Sequence, residues 1–186
     1  MDIGQHSVTL ISIIIGLGLT EMLGNLHRLI RNRERVKWDP LPLAWVVALT
    51  LLVLNYWWAV FLGLDGSDRA RTAAEMGLVL APPLLLFVTT ASVLPNFEAD
   101  SDWDMRRHYA QQHKVFVLTF MVYQLSTWAT ALLTGGTGWN LPTVVRVVIL
   151  ALLALMLLLK GRIWDWIAVA IIIGLLALRL TTQLVR

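Results

Sequence analysis

Six stretches of this chain, at about 8–30, 41–63, 73–94, 114–134, 141–159 and 163–184, are apolar over roughly the twenty residues a helix needs to cross the hydrocarbon core of a bilayer. They predict an all-α integral membrane protein: a compact bundle of about six transmembrane helices, forming a single membrane domain over residues 1–186. Composition agrees. The chain is 58% hydrophobic and only 15% charged, against about 45–50% and 25% in ordinary soluble domains. Lipid is therefore its main solvent and first partner. The formal charge of +3 sits where apolar runs end. That is the pattern of a membrane rim rather than of a nucleic-acid surface, so no nucleic-acid partner is expected. The absence of cysteine excludes disulfides, thiolate–metal sites and cysteine nucleophiles. No positive n-region precedes the first apolar run, which ends in arginines, so that run is read as a retained span and not as a cleaved signal.

The first span is also the most informative. Gly16, Gly18 and Gly24 punctuate it, and small residues let helices approach closely in lipid. Glu21 and Asn25 lie one turn apart on one face. A carboxylate inside a span is costly and normally faces protein or a water-filled cavity. The segment then empties into the basic run from Arg28 to Lys37.

Further along, Pro40 and Pro42 open the second span, and Trp57-Trp58 near its end reads as an interfacial belt. A polar turn at 64–69 leads to the third span, where Pro82-Pro83 predicts a kink. The longest polar stretch, about 96–113, is expected at the cytoplasmic interface, with Ser101 and Asp104 resembling a capping box and Trp103 to Gln112 helical. An uncharged turn at 134–140 and a tight turn around Lys160-Gly161-Arg162 join the remaining spans.

Lysine and arginine set the orientation. The first, third and fifth connections hold ten of the 15, and the rest of the chain holds five. Residues 31–38 should be cytoplasmic and both termini outside.

Depth along each helix, at about 1.5 Å per residue, suggests which polar groups meet. Gln124, Thr89 and Thr90 come near the level of Glu21, and with Asn25 and Asn55 they make up the polar residues within the bilayer. Arg146 and Glu75 match in level near the opposite side and are expected to pair. These groups form either a polar path around Glu21 or interhelical hydrogen bonds that fix packing. Asp104 and His108, one turn apart, are candidates for sensing pH. His6, His27, His108 and His113 do not converge at one level, so neither metal nor haem is expected. No catalytic triad, phosphate-cradling loop or dinucleotide fingerprint is present, so no enzymatic activity and no cofactor are expected.

The glycine-rich first helix with Leu19-Thr20-Glu21 and Leu26-His27-Arg28-Leu29-Ile30, the Trp57-Trp58 pair, and the acidic loop between Leu94-Pro95 and Arg107-His108-Tyr109 resemble a widespread group of small bacterial membrane proteins. The resemblance covers roughly residues 8–134. It implies a bacterial inner membrane and a multi-helix body, and it brings no activity with it. Six spans in 186 residues leave little extramembrane mass, so a homo-oligomer or a larger membrane complex is expected. Two functions fit. One is a small oligomeric channel or transporter with a polar path around Glu21. The other is a non-transporting accessory or scaffold subunit that makes contacts through the glycine face and the tryptophan clusters. Polar groups within the bilayer favour the first, and the lack of a selectivity signature favours the second.

Overall fold

The computed structural model describes residues 3–62, 72–95, 103–133, 141–159 and 161–184. Within them the chain forms six helices: α1 (Ile3–Arg31), α2 (Pro40–Phe61), α3 (Ala73–Ser92), α4 (Met105–Leu133), α5 (Leu141–Leu158) and α6 (Arg162–Leu184). The helix starts are locally encoded. Asp39 accepts the Leu41 N–H at 3.0 Å, with Pro40 in the first turn. Thr72 and Glu75 form a reciprocal capping box at the start of α3. Asp104 accepts the Arg107 N–H at 2.9 Å at the start of α4, whereas Ser101, its expected capping partner, lies outside the described residues. The polar segment 105–113 is continuous with the fourth span. α3 runs unbroken through Pro82 and Pro83, both buried.

Five of the helices are long and apolar enough to cross a membrane; α5, with its apolar stretch Thr143–Leu158, is shorter. Its place in the bundle nevertheless carries the chain from one end to the other. Arg162 at the start of α6 pairs with Asp39 at the start of α2, and Asp165 meets His113 near the start of α4. The even-numbered helices therefore begin at one end, and α5 returns the chain to that end from the far end of α4. Two short strands strengthen the same end. β1 (Val36–Lys37) pairs in parallel with β2 (Trp103–Asp104), which the sequence did not suggest. Arg35 lies over the buried Trp103 ring, 5.5 Å from its centroid. The basic residues 28–37, 106–114 and 162 thus share one face of the bundle, while Lys160 and the turns at 64–69 and 134–140 lie outside the described residues.

Helix packing follows a closed order: α1 against α3, α3 against α4, α4 against α5, α5 against α6, α6 against α2, and α2 back to α1. α2 and α4 are not neighbours in this ring, so contacts between them cross its middle. Those contacts are aromatic. Trp45 meets Phe116 edge-on at 5.0 Å and Phe120 at 6.2 Å, and Tyr56 meets Tyr123 at 6.1 Å. Trp45 Nε1 donates to the Tyr109 hydroxyl at 3.0 Å. Lipid tails are as apolar as leucine, so this core is held by close packing and hydrogen bonding more than by escape from water. The outward faces carry exposed large apolar residues, such as Ile13, Leu17, Leu84, Leu118 and Leu125.

Candidate functional site

The polar residues expected to share one path separate into groups. On α1, Asn25 is buried and its Nδ2 donates to Glu21 Oε1 at 3.3 Å, while Arg28 Nη1 donates to Asn25 Oδ1 at 3.2 Å. Glu21, Asn25 and Arg28 thus form a polar ladder down one face of α1 to the basic end, with Glu21 half-buried at its inner tip. Thr89 and Thr90 are buried on α3, but each hydroxyl donates to a carbonyl of its own helix, Leu85 at 2.7 Å and Phe87 at 2.8 Å. They make no hydrogen bond to Glu21. The α1–α3 seam is also tight. A Cβ on Gly18 would come within 2.9 Å of Thr90 Oγ1 and 3.2 Å of the Phe87 Cα.

Gln124 is buried on α4. It misses Glu21 in azimuth, because α3 stands between α1 and α4 in the ring, and also in depth: Gln124 follows Tyr123, which meets Tyr56 toward the far end, whereas Glu21 lies a turn beyond Gly18, which packs on Thr90 near the basic end of α3. Asn55 belongs to a different seam. Its Nδ2 donates to Leu51 O at 2.9 Å and across to Leu176 O of α6 at 3.2 Å, leaving Oδ1 enclosed without a hydrogen-bond partner. A one-sided buried amide of this kind is costly to keep and ties α2 to α6.

The Glu75–Arg146 pair expected from depth is not among the ion pairs of the described residues. Glu75 is exposed and spends its carboxylate on its own helix, accepting the Thr72 N–H at 3.1 Å. The azimuths do not match, since α4 separates α3 from α5. Arg146 lies instead near Arg179 of α6 and the Tyr123 hydroxyl of α4. The Asp104–His108 contact is also unmade. Asp104 caps α4, and His108 is half-buried with Nε2 enclosed and without a hydrogen-bond partner.

The densest polar constellation is one the sequence reading missed. At the basic end, Asp39 holds Arg162 (α2 to α6), His113 Nε2 lies 3.2 Å from Asp165 Oδ1 (α4 to α6), and Trp45 donates to Tyr109 (α2 to α4). Three helices are thereby tied pairwise at their starts. Burial works to raise the Asp39 pKa, but the hydrogen bond from Arg162, the Leu41 N–H and the charges of Arg162 and Arg106 outweigh it and hold the carboxyl below the usual aspartate value. The available signal was chemical: Asp39 and Asp165 are acids at the starts of apolar spans, each close in sequence to basic residues.

Among the described residues no group of three or more histidine, aspartate or glutamate side chains is placed to hold a metal ion. Comparison with protein-family models, curated proteins and solved structures gave no match.

Proposed function

We propose that this multi-pass protein is a non-transporting accessory or scaffold subunit of a bacterial inner membrane, acting through helix–helix contact within the bilayer. The observation that carries this reading is the aromatic packing of Trp45, Phe116 and Phe120 across the middle of the helix ring, where a path through a single copy would have to run. Contact surface is available outside. Gly16, Thr20 and Gly24 recur every four residues on α1, Gly16 and Thr20 are exposed, and no atom lies within 4 Å of the Cβ position at either glycine. Such a stripe admits the backbone of another helix. One observation favours the channel reading: half-buried Glu21 adjoins Thr20 and leads through Asn25 and Arg28 to the basic end, so an oligomer joined along this stripe would place Glu21 between copies.

The test sets association against flux. Replacing Gly16 and Gly24 together with leucine fills open space, so it should leave the melting temperature of the isolated protein within a few degrees while abolishing cross-linking through a cysteine at Thr20. Glu21→Gln should leave ion flux in proteoliposomes at the background of empty vesicles, as should the unsubstituted protein. Flux above background that Glu21→Gln removes would overturn the accessory reading in favour of the channel.

The orientation belongs to the same proposal, with the basic end cytoplasmic. Arg33→Cys in intact cells should resist a membrane-impermeant thiol reagent, and Gly136→Cys in the 134–140 connection should react. Equal labelling at both positions would refute it.

A further inference from the structure

Beside the interlock at the basic end lies a cavity of about 630 Å³ between the starts of α4 and α6 and the end of α5. Its lining is divided by chemistry. Arg106, Lys114 and Arg162 supply three cations, and Met156 and Leu157 supply an apolar wall. The acids nearby are already engaged, Asp39 by Arg162 and Asp165 by His113. Arg106 and Lys114 take part in neither ion pair and are exposed. They stand eight residues apart on α4, so they share a side of the helix about 12 Å apart along its axis, within the combined reach of two long side chains. The apolar wall continues outward. Leu158 and Ile163, which adjoin the lining residues Leu157 and Arg162, are 78% and 65% exposed.

We infer that this cavity binds the phosphate-bearing headgroup of an anionic phospholipid, with Arg106 and Lys114 as its ligands and the acyl chains laid along Leu158 and Ile163. A phosphodiester between two cations that stand outside the ion pairs satisfies the charge of the site. A small soluble anion would do the same but would leave the apolar wall and flank unused, whereas an amphiphile covers both. The position agrees: the cavity opens where the helices start, at headgroup level, on the most basic face of the bundle, and basic pockets between helices at a membrane rim take anionic headgroups. Arg162 contributes less than its charge suggests, since Asp39 already holds it.

The experiment uses the full chain in a neutral detergent, with thermal melting followed as lipid is added. Phosphatidylglycerol should raise the melting temperature saturably, and phosphatidylcholine should not. The Arg106→Gln/Lys114→Gln double variant should melt normally without lipid and need roughly tenfold or more phosphatidylglycerol for the same rise. The charge-preserving Arg106→Lys/Lys114→Arg variant should keep most of the response. Arg31→Gln/Arg33→Gln removes two exposed charges elsewhere on the same face and should respond like the unsubstituted protein. An equal loss in that control would reduce the effect to general surface charge and overturn the site. Equal stabilisation by glycerol 3-phosphate or inorganic phosphate would overturn the lipid assignment, leaving a free-anion site.

Discussion

Trp45→Ala should be among the most damaging single substitutions in the chain. The side chain is fully buried, meets Phe116 and Phe120 edge-on, and gives its only N–H to Tyr109. Truncation opens a cavity bordered by rings from a helix on the other side of the bundle, which cannot close without drawing α2 and α4 together. It also takes away the indole N–H that Tyr109 accepts in a buried place. A loss of about 3–5 kcal/mol is expected, the range for buried large aromatics. Trp57→Ala is the control, because Trp57 is 40% exposed and, among the described residues, its ring meets Phe61 at 5.5 Å and Trp58 at 6.2 Å, both on its own helix. It should cost about 1 kcal/mol or less, as for a half-exposed side chain without ring contacts to other helices. Trp45→Phe should fall between them, retaining ring packing and losing the hydrogen bond. Reversible unfolding in mixed micelles separates the three. Similar losses for Trp45→Ala and Trp57→Ala would mean that the aromatic column is not the keystone of the ring, and the argument against a path through the monomer would weaken with it.

The contrast between these two tryptophans also shows how far the sequence is legible. Lipid demands a minimum apolar length, so six helices announce themselves, and Asp39-Pro40 marks a helix start through capping chemistry that is local. Depth is legible too wherever the helix start is, because it accumulates residue by residue from there. Azimuth is not. Six apolar helices of similar composition carry no code for who neighbours whom, and the Glu75–Arg146 pair fails for that reason, with α4 between its helices; Gln124 misses Glu21 in depth as well, because α4 begins at Met105 and carries Gln124 toward the far end. The glycines show the same limit. Gly16 and Gly24 lie on one face and Gly18 on the opposite one, so only one of the two faces meets α3, and spacing alone does not say which. The rim interlock was within reach of the sequence in one respect. An acid that starts an apolar span is costly to bury unless paired, and Asp39 and Asp165 both meet that description.

Asp39 is where removing one atom group should have the widest consequence. Its carboxylate caps α2 through the Leu41 N–H and also holds Arg162, joining the starts of two helices. Asp39→Ala removes both functions. Capping alone accounts for about 0.5–2 kcal/mol. Breaking a buried ion pair typically costs about 3–5 kcal/mol, and the lower end applies here because the Arg162 side chain is 36% exposed and is partly rescued by water. Asp39→Asn separates the two contributions, since the amide oxygen still accepts from Leu41 while the charge is gone. In a double-mutant cycle with Arg162→Gln, the second substitution should cost much less in the Asp39→Asn background than alone. The pH dependence has a definite sign. Because the folded carboxyl titrates below the ordinary aspartate value of 3.8, its stabilisation is complete above that value and disappears as pH falls through the lower, folded one. The stability difference between the unsubstituted protein and Asp39→Asn should therefore be flat at neutral pH and shrink only in acid below 3.8. A difference that shrinks instead between pH 5 and 8 would refute the assignment of this coupling to the Asp39 carboxyl.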